Sequence, residues 1–257
     1  MNRISICTSF IFLATLNTVA QAGDSRNNLI SLYGINSEVE NTKENTVGIF
    51  YNTEEVKVRL DKGADLYNAA ALLKFNPLEN KGYIKIGVDY MNRKIGGEQT
   101  DTYYGSLGLG YMVLDDVYVE VGSSINKLNG GLTVPDQTTK QMYADITKRF
   151  DTSAGTLDTS LSCGNIGSEF TENKNFYKIG MDYYPVNNAR LAYVYSRIEG
   201  NTSNNFSLAY GYLIAAYRNS LSYDARTITL GVQFAFADML DISSYTMPTN
   251  IKLHLSE

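Results

Sequence analysis

Three features of the chain predict an all-β fold, an antiparallel transmembrane β-barrel of about 12–14 strands. Apolar and polar side chains alternate along most of the sequence after residue 22, as they do on strands whose side chains point to opposite faces. Several alternating segments run about 10 residues or more, the length that a tilted strand needs to cross a bilayer. Tyrosine and phenylalanine recur toward the ends of these segments, as interfacial girdles require.

The first element in chain order is a secretory signal peptide. Arg3 lies in a short basic region, and residues 4–16 form an apolar segment that is too short to span a membrane. Residues 20–22 read Ala-Gln-Ala, a cleavage site of the A-x-A type, so we expect the mature chain to begin at Gly23. The alternative is a buried first helix. On the first interpretation the protein is exported.

The alternation that follows is clear in one representative segment. Ile84, Ile86 and Val88 share one face of the predicted strand, whereas Lys85 and Asp89 share the other. A soluble β-sandwich would also alternate, but ionisable groups on the polar faces suit a wet lumen and would be costly in a dry core. The aromatic pairs that we assign to the girdles are Tyr103 and Tyr111, Tyr183 and Tyr184, Tyr210 and Tyr212, and Phe234 and Phe236.

Connection lengths then set the strand count. Short periplasmic turns are expected near residues 53–54, 76–80, 114–116, 151–153 and 185–188. Longer polar external loops are expected at residues 37–44, 93–100, 126–139, 165–174 and 199–204. This alternation is the outer-membrane pattern and gives about fourteen strands, including two weak ones near 55–61 and 215–221. Omitting both weak strands gives twelve, which is also even.

The last strong strand segment carries a specific resemblance. Residues 229–236, Thr-Leu-Gly-Val-Gln-Phe-Ala-Phe, resemble the closing strand of Gram-negative outer-membrane β-barrels, and the hairpin at 183–191 resembles their short periplasmic turns. The chain also has a faint similarity to small YfaZ-type outer-membrane proteins. The resemblance implies a porin-like barrel in the bacterial outer membrane, surrounded by its lipid and assembled by the barrel-assembly machinery.

The C-terminal residues depart from that pattern. Such barrels commonly end at the terminal aromatic residue, but residues 237–257 follow Phe236. Residues 251–255 alternate and form an alternative closing strand, although the segment 226–236 is longer and more apolar on its outward face. We therefore expect a signal peptide at 1–22, a barrel at 23–236 and a periplasmic tail at 237–257.

The inward faces of the predicted strands carry the candidate functional residues. On this register the pore-lining residues are Lys57, Arg59, Lys85, Asp89, Glu120, Asp145, Arg149, Lys178, Asp182 and Arg190. Lys74 and Asp158 share those faces. A water-filled lumen with these charges predicts passive, porin-like diffusion of small hydrophilic solutes. The alternative is a lumen plugged by internal salt bridges, as in a structural barrel or a surface adhesin.

Other classes of function have little support in the sequence. The only histidine, His254, lies in the predicted tail, so serine-hydrolase and histidine-dependent protease mechanisms are not expected in the barrel. Cys163 would be the only cysteine of the mature chain, on the apolar side of its strand, and no cluster of ligands predicts a metal. We expect no cofactor, no enzymatic activity and no nucleic-acid partner, because neither a phosphate loop nor a basic patch is present.

Overall fold

The computed structural model describes residues 29–39, 42–53, 56–75, 82–95, 97–114, 116–131, 135–169, 171–185, 189–198, 201–220 and 225–235. The predicted signal peptide, the predicted tail and Phe236 lie outside the described residues. The boundaries proposed for these segments therefore stay predictions.

Fourteen strands follow one another along the chain. They are β1 (Leu29–Val39), β2 (Thr42–Asn52), β3 (Val56–Gly63), β4 (Leu66–Phe75), β5 (Gly82–Ile95), β6 (Glu98–Leu114), β7 (Val117–Asn129), β8 (Gln137–Thr152), β9 (Gly155–Ser168), β10 (Thr171–Tyr184), β11 (Ala189–Ile198), β12 (Asn201–Tyr210), β13 (Leu213–Ser220) and β14 (Ala225–Ala235). No helical segment among the described residues has the length and apolar character that crossing a bilayer requires.

The strands form a single closed antiparallel barrel. Each strand pairs with its neighbours in sequence, and β14 pairs with β1 so that Leu29 lies opposite Ala235. Both weak strands are present as β3 and β13, which confirms the count of fourteen. Closure satisfies the backbone groups that an edge strand would expose to lipid.

Side-chain alternation separates an apolar exterior from a polar interior. On β5 the inward side chains of Lys85 and Asp89 are buried, whereas those of Ile86 and Val88 are exposed on the outside. Large exposed apolar residues cover the exterior from strand to strand, among them Val47, Leu73, Leu109, Val121, Ile146, Leu161, Ile179, Leu208 and Leu230. Cys163 is exposed on this outer surface. An apolar band of this kind is the lipid-facing surface of a membrane barrel.

The barrel has two ends, a terminal rim and a distal rim. The terminal rim is the end where β1 begins and β14 ends, and the distal rim is the opposite end, where β1 connects to β2. Outward-facing aromatic residues near the terminal rim include Tyr51, Phe75, Tyr111, Phe150, Tyr210 and Tyr212. Those toward the distal rim are Tyr67, Tyr90, Tyr103, Tyr177 and Tyr195.

The distal aromatic residues contact one another across strands. The ring centroids of Tyr67 and Tyr90 are 6.4 Å apart, and those of Tyr90 and Tyr103 are 5.3 Å apart. The assignment of Tyr184 to a girdle is wrong, because its side chain is 3% exposed and points inward. Tyr183 and Tyr184 are consecutive, and the period of two places consecutive residues on opposite faces.

Strands end at each of the five predicted short turns, but most of the expected long loops are wrong. β5 continues to Ile95 and β6 begins at Glu98, so most of the predicted loop 93–100 is paired strand. Polar side chains hold such extensions together: Gln99 Nε2 donates to Asn92 Oδ1 at 2.7 Å. Backbone pairing needs no apolar side chain, so the ladder runs past the lipid-facing band. Strands β5 to β10 have 13–17 residues, and the other strands have 8–11.

Candidate solute channel

All ten sequence-predicted site residues lie at inward positions of the barrel. Nine of them are buried: Lys57, Arg59, Lys85, Asp89, Glu120, Arg149, Lys178, Asp182 and Arg190. Asp145 is half-buried and follows the same alternation as its buried neighbours Tyr143 and Thr147. The structure thus gives the orientation of these side chains, and their role as pore-lining residues remains a prediction.

Further ionisable residues face inward that the sequence reasoning did not select. They are Glu44, Asp61, Arg93, Glu98, Asp151, Lys174 and Arg218. Asp61 continues the alternation of Lys57 and Arg59, so the same period of two extended by one step would have found it. Glu44, Arg93 and Lys174 lie in segments that were predicted to be loops, where no register could be assigned.

Four charged side chains on four consecutive strands form a row of two ion pairs near the terminal rim. Arg149 on β8 donates two hydrogen bonds to Asp158 on β9, one from Nε and one from Nη2, each at 2.8 Å. Asp158 lies opposite Asp182 on β10, and Asp182 accepts a hydrogen bond from Arg190 Nε on β11 at 2.8 Å. Each arginine therefore offsets the charge of one of two adjacent carboxylates.

Glu120 is the centre of a second cluster. Its carboxylate accepts hydrogen bonds from Lys85 Nζ at 2.5 Å, from Tyr83 Oη at 2.5 Å and from Tyr143 Oη at 2.8 Å. Lys85 is on β5 and Glu120 is on β7, so this ion pair passes over the strand between them. Gly108 on β6 makes that possible, because a β-carbon there would lie 3.0 Å from Glu120 Oε1 and 3.1 Å from Lys85 Cε.

A third cluster lies on β1, β3 and β4. Tyr33 Oη donates to Asp61 Oδ1 at 2.5 Å, and Arg59 Nε lies 2.6 Å from Asp61 Oδ2. Asn68 Nδ2 donates to the same carboxylate at 3.1 Å. The Tyr33 ring crosses β2 directly over Gly48, whose missing side chain leaves the space for it.

Apolar side chains also enter the lumen. Tyr33, Phe50, Leu72, Tyr104 and Ile214 belong to one buried cluster that draws on β1, β2, β4, β6 and β13. Phe50 is 0% exposed and Leu72 is 2% exposed. Because the cluster joins strands on different sides of the barrel, it narrows the lumen at this level.

The inward face has a slight excess of positive charge among the described residues. Its ten cations are Lys57, Arg59, Lys74, Lys85, Arg93, Arg149, Lys174, Lys178, Arg190 and Arg218, and its nine carboxylates are Glu44, Asp61, Asp89, Glu98, Glu120, Asp145, Asp151, Asp158 and Asp182. The whole chain has the opposite sign, with a formal net charge of -5. The lumen and the rest of the molecule therefore present different fields to a charged solute.

Comparison with known proteins gives likeness of shape at low sequence identity. No family model matches the chain, and no curated protein matches it either. Among solved structures, the KdgM porin has 11% identity and a TM-score of 0.49, covering 80% of this chain and 99% of its own. The Acinetobacter baumannii outer membrane protein Omp33 has 14% identity and a TM-score of 0.49, covering 82% and 100%. The Pseudomonas putida toluene transporter TodX has 9% identity and a TM-score of 0.44, covering 84% and 90%.

The architecture itself follows from this chain's own strand pairing and burial. A closed antiparallel barrel with an even strand number, an apolar exterior between aromatic girdles and a charged interior is the bacterial outer-membrane type of barrel. The chain therefore has the fold of outer-membrane β-barrel proteins, and that fold places it in the bacterial outer membrane.

Proposed function

We propose that this barrel is a passive diffusion channel for small hydrophilic solutes, with a preference for anions. The observation that carries the proposal is the inward lining of ionisable side chains, in which cations outnumber carboxylates among the described residues. Rings of charge along a narrow hydrated path bias which ions and solutes pass. The proposal assigns no catalytic role, and its partners are the outer-membrane lipid, the assembly machinery and the permeating solute.

Incomplete hydrogen bonding in the lumen supports a hydrated path. Arg59 Nη2, Asn68 Oδ1 and Asp89 Oδ1 are buried on β3, β4 and β5 with no hydrogen-bond partner among the described residues. Buried polar groups are normally paired with protein or with water. Water or a polar solute in the lumen would supply the missing partners.

A plugged structural barrel is the second candidate, and one observation favours it. The inward apolar cluster with Phe50 and Leu72 is buried, and so is the Lys85–Glu120 ion pair. Barrels of about 8 strands are filled by their side chains, whereas 16–18 strands leave a channel. Fourteen strands lie between these cases, so conductance has to decide.

The test is single-channel conductance of the refolded mature chain, residues 23–257, in a planar bilayer under a KCl gradient. A heat-modifiable gel shift first establishes that the barrel is folded. We expect stable conductance steps and a reversal potential of the sign that indicates anion preference. Silence from a folded barrel would reject the channel and leave the plugged barrel.

Charge reversal then tests the lining. Lys57→Glu and Lys178→Glu should each move the reversal potential toward cation preference, because both side chains lie on the inward face. Lys85 is unsuitable for this purpose, because Lys85→Glu would place a second carboxylate beside Glu120. Lys148→Glu is the matched control, since Lys148 faces outward and is exposed. Unchanged reversal potentials in both inward variants would contradict a lining role.

A further inference from the structure

Basic side chains line the outer surface of the barrel toward the distal rim. These exposed, outward-facing residues are Lys43, Lys62, Lys94, Lys127, Lys140, Arg197 and Arg226. They alternate with inward side chains on their strands, so they point toward the surroundings of the barrel and away from the lumen. We refer to this set as the basic belt.

Strand register places three members of the basic belt at the height of the distal aromatic girdle. Lys62 lies opposite Tyr67 on β4, and Lys127 lies opposite Tyr103 on β6. Arg197 lies opposite Tyr177, and its Nη1 donates to Tyr177 Oη at 3.3 Å. Interfacial tyrosines sit at the level of lipid headgroups. The cations beside them are therefore at headgroup level as well.

Among the residues that the structure describes, the terminal rim has no comparable set. In the part of the chain that the structure describes, Lys148 is the outward-facing cation of that rim. Its Nζ lies 3.6 Å from an Asp116 carboxylate oxygen. Both rims carry aromatic girdles, but among the described residues the cations are concentrated at the distal rim. The basic belt is therefore not a feature that every water-exposed end of the barrel shares.

Nearby carboxylates offset the belt only in part. Glu38 faces outward between its register partners Lys43 and Arg226. Asp101 accepts hydrogen bonds from Tyr90 Oη at 2.8 Å and from Asn92 Nδ2 at 2.7 Å. Among the other acids of this rim whose side chains the structure describes, Glu44 and Glu98 face inward, and Asp65, Asp136 and Glu169 lie in or beside the connections between strands. Outward strand positions at girdle height thus remain mainly basic.

We propose that the basic belt binds the phosphate groups of anionic lipid headgroups in the leaflet around the distal rim. Lysine and arginine near a membrane surface attract anionic lipid, at about 1 kcal/mol for each side chain. Their long aliphatic stems can lie along the apolar wall while the charged ends reach phosphate oxygens. The proposal concerns the outer surface and does not depend on whether the lumen conducts.

The test measures lipid binding to the purified, folded barrel in a zwitterionic detergent. Phosphatidylglycerol and phosphatidylcholine are titrated separately, and the bound lipid is counted by native mass spectrometry. We expect the triple variant Lys62→Gln, Lys127→Gln, Arg197→Gln to lose about tenfold or more in affinity for phosphatidylglycerol. Phosphatidylcholine binding, which involves no net charge, should change little.

Lys148→Gln is the matched control, an outward-facing lysine of the opposite rim, and should bind phosphatidylglycerol as the unmodified protein does. The gel shift is measured for every variant, and the single variants replace the triple if it fails to fold. Equal losses in Lys148→Gln and the belt variants would overturn the proposal. Displacement of phosphatidylglycerol by millimolar inorganic phosphate would also overturn it, since the belt would then be a general anion site.

Discussion

In several places on the inner wall of the barrel, an aromatic ring lies directly over a glycine of the neighbouring strand. Tyr83 lies over Gly110, Tyr143 over Gly122 and Phe176 over Gly164, and each ring and glycine are direct partners in register. Because the glycine has no side chain, the ring lies flat along the wall. The Tyr83 hydroxyl thereby reaches Glu120 two strands away from its own strand.

Gly110→Ala tests this arrangement. A β-carbon at Gly110 would collide with the Tyr83 ring, so we expect a loss of about 1–3 kcal/mol in the free energy of unfolding. The measurement is urea unfolding of the barrel in lipid vesicles. Gly105→Ala on the same strand is the control, because its β-carbon would meet only Ile125 Cγ2 at 3.9 Å. Equal stability of the two variants would contradict the packing described.

Glu120 should be among the most costly inward residues to remove. Glu120→Ala leaves the Lys85 ammonium and two tyrosine hydroxyls without this acceptor, and losing one partner of a buried ion pair costs about 3–5 kcal/mol. The double variant Lys85→Met, Glu120→Leu should recover part of that loss, because no uncompensated charge remains. Urea unfolding measures both, and a double variant less stable than Glu120→Ala would argue against the ion pair as the cause.

At the scale of elements, the distal hairpins are paired strand rather than long loops. The exception is the connection between β7 and β8, residues 130–136, which is the longest between described strands at that rim. Gly130 N donates to Asp136 Oδ1 at 2.8 Å at the base of this connection. Exposed connections tolerate insertion better than paired strands do.

An epitope inserted after Gly131 should therefore be accepted and should bind antibody on intact cells, if the distal rim faces outward. The matched insertion, between Ser153 and Ala154 in the terminal-rim turn, should bind antibody only after the outer membrane is permeabilised. Flow cytometry with and without permeabilisation gives the readout. The reverse pattern would show that the barrel has the opposite orientation.

At the scale of the whole molecule, an acidic chain encloses a lumen with more cations than carboxylates among its described residues. If that lining sets selectivity, the anion preference should fall as salt rises, because the Debye length shrinks from about 10 Å at 0.1 M to about 3 Å at 1 M. Reversal potentials measured at both mean KCl concentrations, at a constant concentration ratio, check this. A preference that does not change with salt would indicate selection by pore size instead.

Alternation in the sequence determined most of the fold. The period of two requires no tertiary information. The sequence alone therefore showed that Lys85 and Ile86 lie on opposite faces of their strand, and so do Arg190 and Leu191. The even-number rule did not decide the weak strands β3 and β13, because omitting both would also have left an even number. The distal ends of the strands were not readable, because paired polar residues such as Arg93 and Thr100 resemble loop residues in composition.

Tertiary structure alone decided which inward residues meet. Lys85 and Glu120 are separated by 35 residues in sequence, and their contact depends on the registers of β5, β6 and β7 and on the space over Gly108. Likewise, the basic belt is scattered along the sequence, and only closure of the barrel aligns it with the tyrosine girdle. Sequence patterns record the face of each residue, whereas register and closure determine its height and its neighbours.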